Sequence, residues 1–270
     1  QAGGGVLLSG GSSLTGTGLS IVAGEADRGA GIWCEDNSVL EMSRTIFTGN
    51  TAVSYGGGVY GDNSTLNIRN CVIVENSAPY GSAIVMNYDG SMILTNSILW
   101  DNNNDPISLQ SSPSSSTIQI SYSLVDGGQA VFNEDELTNN TIEWLDGNID
   151  ADPLFIDAQD LDYHIQESSP CIDKGDPDND VDGLNWVYDT DDQDPDGTRM
   201  DIGVAYFHQT DPPPIPVEGL TVVGLGHEFI NLNWSASSEP DIAMYRLYRD
   251  GTNLDSLSGN DLDTSYLDLD

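Results

Sequence analysis

The sequence predicts an all-β chain in which a right-handed parallel β-helix is followed by an irregular acidic capping segment and then by the first part of a β-sandwich. Three observations carry the solenoid. A glycine-led pattern returns about every 26 residues, as Gly3-Gly4-Gly5-Val6, Gly29-Ala30-Gly31-Ile32, Gly56-Gly57-Gly58-Val59 and Gly81-Ser82-Ala83-Ile84. A second set keeps the same spacing, beginning at Leu19, Thr45, Cys71 and Ser97 and ending at Gly24, Asn50, Asn76 and Asn102. Between them lie short runs of alternating apolar and β-branched residues bounded by Gly, Asn, Asp or Ser, with no helical period to compete. A fixed period of this length marks a solenoid, whose repeats bury their apolar faces only by stacking.

Each coil holds about three short strands, and coils stack at the ordinary inter-strand spacing of about 4.8 Å. The runs Val39–Met42, Thr65–Ile68 and Met92–Leu94 supply one strand per coil. Leu40 over Leu66, and Ile46 over Val72 over Ile98, are the expected interior columns. Asn50, Asn76 and Asn102 are expected to form a ladder at one corner, each amide satisfying the next. A fifth, less regular coil runs through Ile118–Val125, and the solenoid is expected to span residues 1–126. Right-handedness follows from the general chirality of parallel connections. Gly56-Gly57-Gly58-Val59-Tyr60 and Asn70-Cys71-Val72-Ile73-Val74-Glu75-Asn76 resemble the right-handed parallel β-helix repeats of bacterial surface and secreted proteins. That fold hosts adhesins, lyases, hydrolases and inert stalks alike, so the resemblance implies an architecture more than an activity.

Residues 127–210 form the capping segment. Asp152-Pro153-Leu154-Phe155-Ile156-Asp157, Ser169-Pro170-Cys171-Ile172-Asp173 and the run Asp194, Asp196, Gly197, Thr198, Arg199, Asp201, Ile202, Gly203 are similar to a closing region found after such repeats, often ahead of a surface anchor. A solenoid end exposes strand edges and apolar columns, so a covering segment is expected there. Residues 211–216, Asp211-Pro212-Pro213-Pro214-Ile215-Pro216, read as a stiff linker. Beyond it, residues 217–270 carry the alternating runs Phe229–Trp234 and Ala243–Gly251, which resemble the second and third strands of a fibronectin type III domain with Trp234 as its core tryptophan. A seven-strand sandwich needs about 100 residues. The chain is therefore expected to be a piece of a longer protein.

Seven Lys plus Arg stand against 44 Asp plus Glu, a formal net charge of −37. Such a surface argues against nucleic acid and anionic membranes as partners, and no apolar run is long enough for membrane insertion. The three cysteines, Cys34, Cys71 and Cys171, read as buried free thiols, since Cys34 and Cys71 fall in different phases of the repeat.

The sharpest chemical motif is acidic. Asp178, Asp180 and Asp182 occupy alternate positions, Gly183 follows, and Asp189 falls twelfth from Asp178. This is the ligand spacing of an EF-hand-like calcium loop, with the Leu184 backbone carbonyl at position seven. The closing residue is Asp rather than Glu and no flanking helices are apparent, so an isolated calcium loop is the reading. Asp192, Asp194, Asp196 and Gly197 repeat the first half of the pattern without a closing carboxylate. The alternative for both runs is a solvated acidic loop.

Asp36, Asp62 and Asp89 are expected to share one column at a turn. Such a row resembles the carboxylates of β-helix glycosidases, although Asp before Asn or Gly is first of all a turn former. Tyr55, Tyr60, Tyr80 and Tyr88 lie near the glycine turns as rim residues able to stack on sugars. His164, His208 and His227 show no metal spacing. The expectation is a non-catalytic, exported bacterial surface protein, adhesive or structural, with calcium-stabilised loops and a polysaccharide or cell-surface glycan as partner. The competing class is a polysaccharide lyase or glycoside hydrolase. Two carboxylates and an arginine in a groove on one face would favour the enzyme.

Overall fold

The structure, a computed structural model, describes residues 4–103, 105–110, 115–132 and 139–209, and beyond these 221–225, 229–234, 244–249, 252–258 and 265–269. Packing divides the chain into two units, Gln1–Gln209 and Thr210–Asp270. The proline-rich run 211–216 lies outside the described residues.

The first unit is a parallel solenoid of three long sheets. Val6–Leu8, Ile32–Glu35, Val59–Asp62, Ile84–Asn87 and Ile107–Leu109 form the first. Ser13–Thr17, Val39–Ser43, Thr65–Arg69, Ser91–Thr95, Thr117–Ser121 and Thr141–Trp144 form the second. Ser20–Val22, Ile46–Thr48, Val72–Val74, Ile98–Trp100 and Leu124–Val125 form the third. A short fourth ribbon, Glu25–Arg28 beside Thr51–Tyr55, was not legible in the repeat. Solenoid order runs past 126: Thr141–Trp144 joins the second sheet and Ile149 bridges Leu124.

The corners explain the glycine-led motif. Its first glycine, at Gly29, Gly56 and Gly81, has φ of 55–65°, a left-handed conformation that only glycine adopts without cost. Its third, at Gly5 and Gly58, leaves no room for a side chain, because a Cβ there would lie 2.6 Å from the carbonyl oxygen of the next coil. The remaining corners also turn through left-handed residues, Arg44, Asn70, Asn96 and Tyr122 at one and Ala23, Gly49, Glu75 and Asp101 at another.

Inside, the second sheet stacks Leu14, Leu40, Leu66, Met92 and Ile118 in register, and all but the first are fully buried. The asparagine ladder forms as expected. Asn50 Nδ2 donates to Asn76 Oδ1 at 2.9 Å and Asn76 Nδ2 to Asn102 Oδ1 at 3.1 Å, while each also donates to a backbone carbonyl of the preceding coil. The three cysteines are buried and unpaired, and burial pushes the thiols of Cys71 and Cys171 up to about 12.

The third sheet departs from expectation. Ile46, Val72 and Ile98 do stack in register, but the interior column is the neighbouring one, Phe47, Ile73, Leu99 and Val125. Both columns are apolar, so the period-two alternation that tells inside from outside is missing here. The outward column is buried by the acidic segment: Val72, Ile98 and Leu124 pack against Tyr163, Ile165, Cys171 and Ile202. Tyr163 and Thr48 share a hydroxyl–hydroxyl bond of 2.8 Å. Gly203 passes so close that a Cβ would lie 2.9 Å from Ile98 Cδ1, and its amide donates to the Asn96 carbonyl at 2.8 Å. The segment therefore covers the flank of the solenoid as well as following its last coil.

In the second unit, Thr221–Leu225, Phe229–Asn233 and Ser265–Leu269 form an antiparallel sheet, and Met244–Arg249 pairs with Thr252–Ser258. Trp234 is buried.

Candidate functional site

The acidic loop is built from local turns. Asp178 sits first, and both its carboxylate oxygens face the Gly183 amide, at 3.3 and 3.2 Å. Val181 and Gly183 take left-handed φ of 62° and 87°, which folds the chain back between them. Asp180 Oδ1 accepts from the Asp182 amide and Asp182 Oδ1 from the Leu184 amide, at 3.2 and 2.7 Å. Where an EF-hand would continue into a helix, the chain instead makes a turn closed by the Trp186 amide on the Pro177 carbonyl, then a single 3-10 turn, Thr190–Asp192.

This folding gathers five carboxylates into two groups that share Asp180. Oxygens of Asp178, Asp180 and Asp192 lie within 4.8 Å of one another, and so do those of Asp180, Asp182 and Asp189. Asp192 is fully buried. Its Oδ1 accepts from the Asn179 amide at 2.6 Å, while Oδ2, equally buried, makes no well-formed hydrogen bond, although the nearby Asp180 amide also favours the charged carboxylate. Burial raises its pKa, and Asp189 and Asp180 add to the rise. A buried carboxylate oxygen without a well-formed hydrogen bond is costly. Several grouped hard oxygens with one such among them fit a calcium-type cation, which takes six to eight oxygen ligands.

Of the sequence-predicted ligands, Asp178, Asp180 and Asp192 fall in one group and Asp180, Asp182 and Asp189 in the other. Asp194 and Asp196 lie outside both groups. Asp194 Oδ2 accepts from the Asp201 amide, and Asp196 accepts from Thr198 and from the Gln209 amide. Asp192, read in the sequence as the start of a second run, lies beside Asp178 and Asp180 of the first.

Three residues that the ligand pattern does not contain fix the loop to the solenoid. Arg69, at the end of its strand, donates from Nη1 to the Asn179 carbonyl at 2.8 Å. Asn96, buried at a left-handed corner, donates to Asn179 Oδ1 at 3.1 Å and accepts from the Asp176 amide at 2.6 Å. Their only sequence signal is position: Asn96 occupies the same corner as Arg44, Asn70 and Tyr122, and Asn179 is the residue between two ligands.

The expected row of Asp36, Asp62 and Asp89 does not form. Ile32 pairs with Val59 and Val59 with Ile84, so the repeat on this side is not a constant 26, and the aligned residues are Glu35, Asp62 and Asn87. Asp36 and Asp89 sit in left-handed turns, where Asp89 accepts from the Ser115 amide at 3.1 Å. Beside the aligned row stands Arg28, its guanidinium 5.3 Å from the Tyr55 ring and 5.8 Å from that of Tyr60. On the second sheet, an open groove of about 400 Å³ is lined by Thr15, Glu41, Ser43, Asn67 and Arg69, with a single carboxylate.

The family described as the right-handed β-helix region matches residues 4–148, more than half of the chain. A protein named probable autotransporter YfaL, from Escherichia coli strain K12, is 28% identical over 176 residues. The match covers 57% of this chain and 14% of that protein's length. No solved structure matches. Among the described residues, no helix is long and apolar enough to cross a membrane.

Proposed function

The chain belongs to the right-handed β-helix family, and from that premise we propose that it is an exported, non-catalytic bacterial surface protein: a rigid adhesive or structural solenoid whose acidic segment is held in shape by calcium. The observation that carries the calcium reading is the buried Asp192 carboxylate, grouped with those of Asp178 and Asp180 and with its Oδ2 lacking a well-formed hydrogen bond. A divalent cation would be held by Asp178, Asp180, Asp182, Asp189 and Asp192, with the Leu184 carbonyl at the seventh position. It would relieve the mutual repulsion of these groups and supply a partner for Asp192 Oδ2. Arg69 and Asn96 would then pass the order of the loop to the solenoid flank. Export is supported by the similarity to a protein named a probable autotransporter, and the strands around Trp234 support a fibronectin type III reading of the second unit.

Calcium titration by calorimetry, with thermal melting in calcium and in chelator, tests this reading. Binding to the folded state alone raises the melting temperature, and Asp192→Asn should abolish most of that rise. No heat and no shift would leave the acidic run as solvated surface.

One observation favours glycosidic cleavage as a second reading: Glu35 and Asp62 are adjacent in register beside Arg28. Release of reducing ends from a polysaccharide, lost in Asp62→Asn, would establish it.

A further inference from the structure

The outward face of the first sheet carries a column of large side chains next to a column of polar ones. Trp33 aligns with Tyr60, and Glu35 with Asp62 and then Asn87. The short ribbon alongside adds Arg28 and Tyr55, and a further bridge brings Tyr80 against Tyr55. The rings are packed on one another: Tyr55 and Tyr80 stack at 5.3 Å, and Trp33 meets Tyr60 edge-on at 5.3 Å. Asn87 donates to the Tyr60 hydroxyl at 3.0 Å, which locks the buried member of the group. Tyr80 remains 52% exposed, so the outermost ring of a rigid stack faces water.

Chemistry decides what such a face accepts. An anion would meet Glu35 and Asp62 on a chain of net charge −37. A cation finds the faces of Tyr55 and Tyr60 already taken by Arg28. A purely apolar segment would strip water from two carboxylates and add no donor beyond the Trp33 and Tyr60 side chains that already favour their charged forms. A neutral saccharide satisfies every group: its C–H face covers an exposed ring, its hydroxyls donate to the carboxylates, and Arg28 donates back to its oxygens. The rings are held before any ligand arrives, so little ordering cost remains to be met on binding.

We infer that the face formed by Arg28, Trp33, Tyr55, Tyr80, Glu35 and Asp62 is a binding site for a neutral glycan. This rests on the surface-protein reading only for where the glycan is met, and it is independent of the calcium loop.

The test titrates the full chain with cellohexaose, maltohexaose and chitohexaose, with polygalacturonate as the anionic comparison, each in calcium and in chelator. At least one neutral oligosaccharide binds, polygalacturonate binds more weakly, and chelator leaves the affinity unchanged. Tyr80→Ala, at an exposed ring, weakens binding at least tenfold (about 1.4 kcal/mol) with an unchanged melting temperature. Asp62→Asn weakens it in the same direction. Failure of all three neutral probes at millimolar concentration overturns the inference, as does wild-type affinity in Tyr80→Ala. Binding lost in chelator would relocate the site to the acidic loop and overturn it as well, whereas calcium binding without glycan binding would leave the calcium reading standing.

Discussion

The solenoid and the acidic segment that lies against it solve the same problem, closing a backbone without helices, by opposite means. In the solenoid, one coil's solution is repeated. Leucine lies over leucine, asparagine over asparagine, and the ladder amides and strand bonds satisfy the backbone from coil to coil. In residues 149–209, almost nothing repeats. There, aspartates satisfy the backbone, each accepting from an amide nearby in sequence, as at Asp152, Asp157, Asp162, Asp180, Asp182 and Asp189. The first device uses apolar burial and neutral amides, which respond little to pH or ions. The second concentrates charge, so its order depends on what neutralises that charge.

The sharpest way to separate the two is to mutate adjacent residues that face opposite ways. Leu99 points into the solenoid and Ile98 into the acidic segment. Each change to alanine should cost about 2–5 kcal/mol where the cavity forms. Leu99→Ala should lower the melting of the coils themselves, while Ile98→Ala should expose residues 150–207 to hydrogen exchange with the coils still protected. Equal exchange in both regions for both variants would show that they unfold as one body.

Calcium withdrawal comes next. At a cation concentration a hundred times the dissociation constant, bound ion adds about 2.7 kcal/mol. Limited proteolysis in chelator should cut within 176–194 and leave 4–103 protected. Cleavage that ignores calcium would remove the ion from the comparison.

Breaking the ladder has a smaller effect and should do so without touching the acidic segment. Asn76→Ala leaves buried amide partners at Asn50 and Asn102 and should cost about 1–3 kcal/mol, read as a loss of denaturant midpoint with unchanged calcium affinity.

A fourth effect is that of pH. Burial, with neighbouring carboxylates, pushes Asp194 up to about 7 and Asp201 up to about 6. Both folded values lie above the ordinary carboxylate range, so the folded form holds protons that the unfolded chain has released. Stability should therefore fall as pH rises from about 4 to 7 and level off above. Melting curves in chelator would show this slope, and Asp194→Asn, which keeps an oxygen available for the Asp201 amide, should flatten it. A melting temperature that rises through this window would contradict the arrangement.

Much of this was legible in the residues. The repeat gave the coils, the columns through Leu40 and Leu66, the asparagine ladder and the free buried thiols, because each is a local rule applied at a fixed interval. The loop spacing also picked out Asp178, Asp180, Asp182 and Asp189. What it misjudged was everything set by contact between distant segments. Ile46, Val72 and Ile98 are as apolar as Phe47, Ile73 and Leu99, so alternation could not say which faced inward. Only the docking of Tyr163, Cys171 and Ile202 decides that. The anchoring of Asn179 by Arg69 and Asn96, and of Asp176 by Asn96, likewise depends on residues 80 or more positions apart meeting at one corner. Glu35 rather than Asp36 faces Asp62 because one coil carries an extra residue that a mean period conceals. Periodicity determined the solenoid by itself; only the tertiary structure decided its faces and its charged flank, since side chains there are placed by partners that no local spacing records.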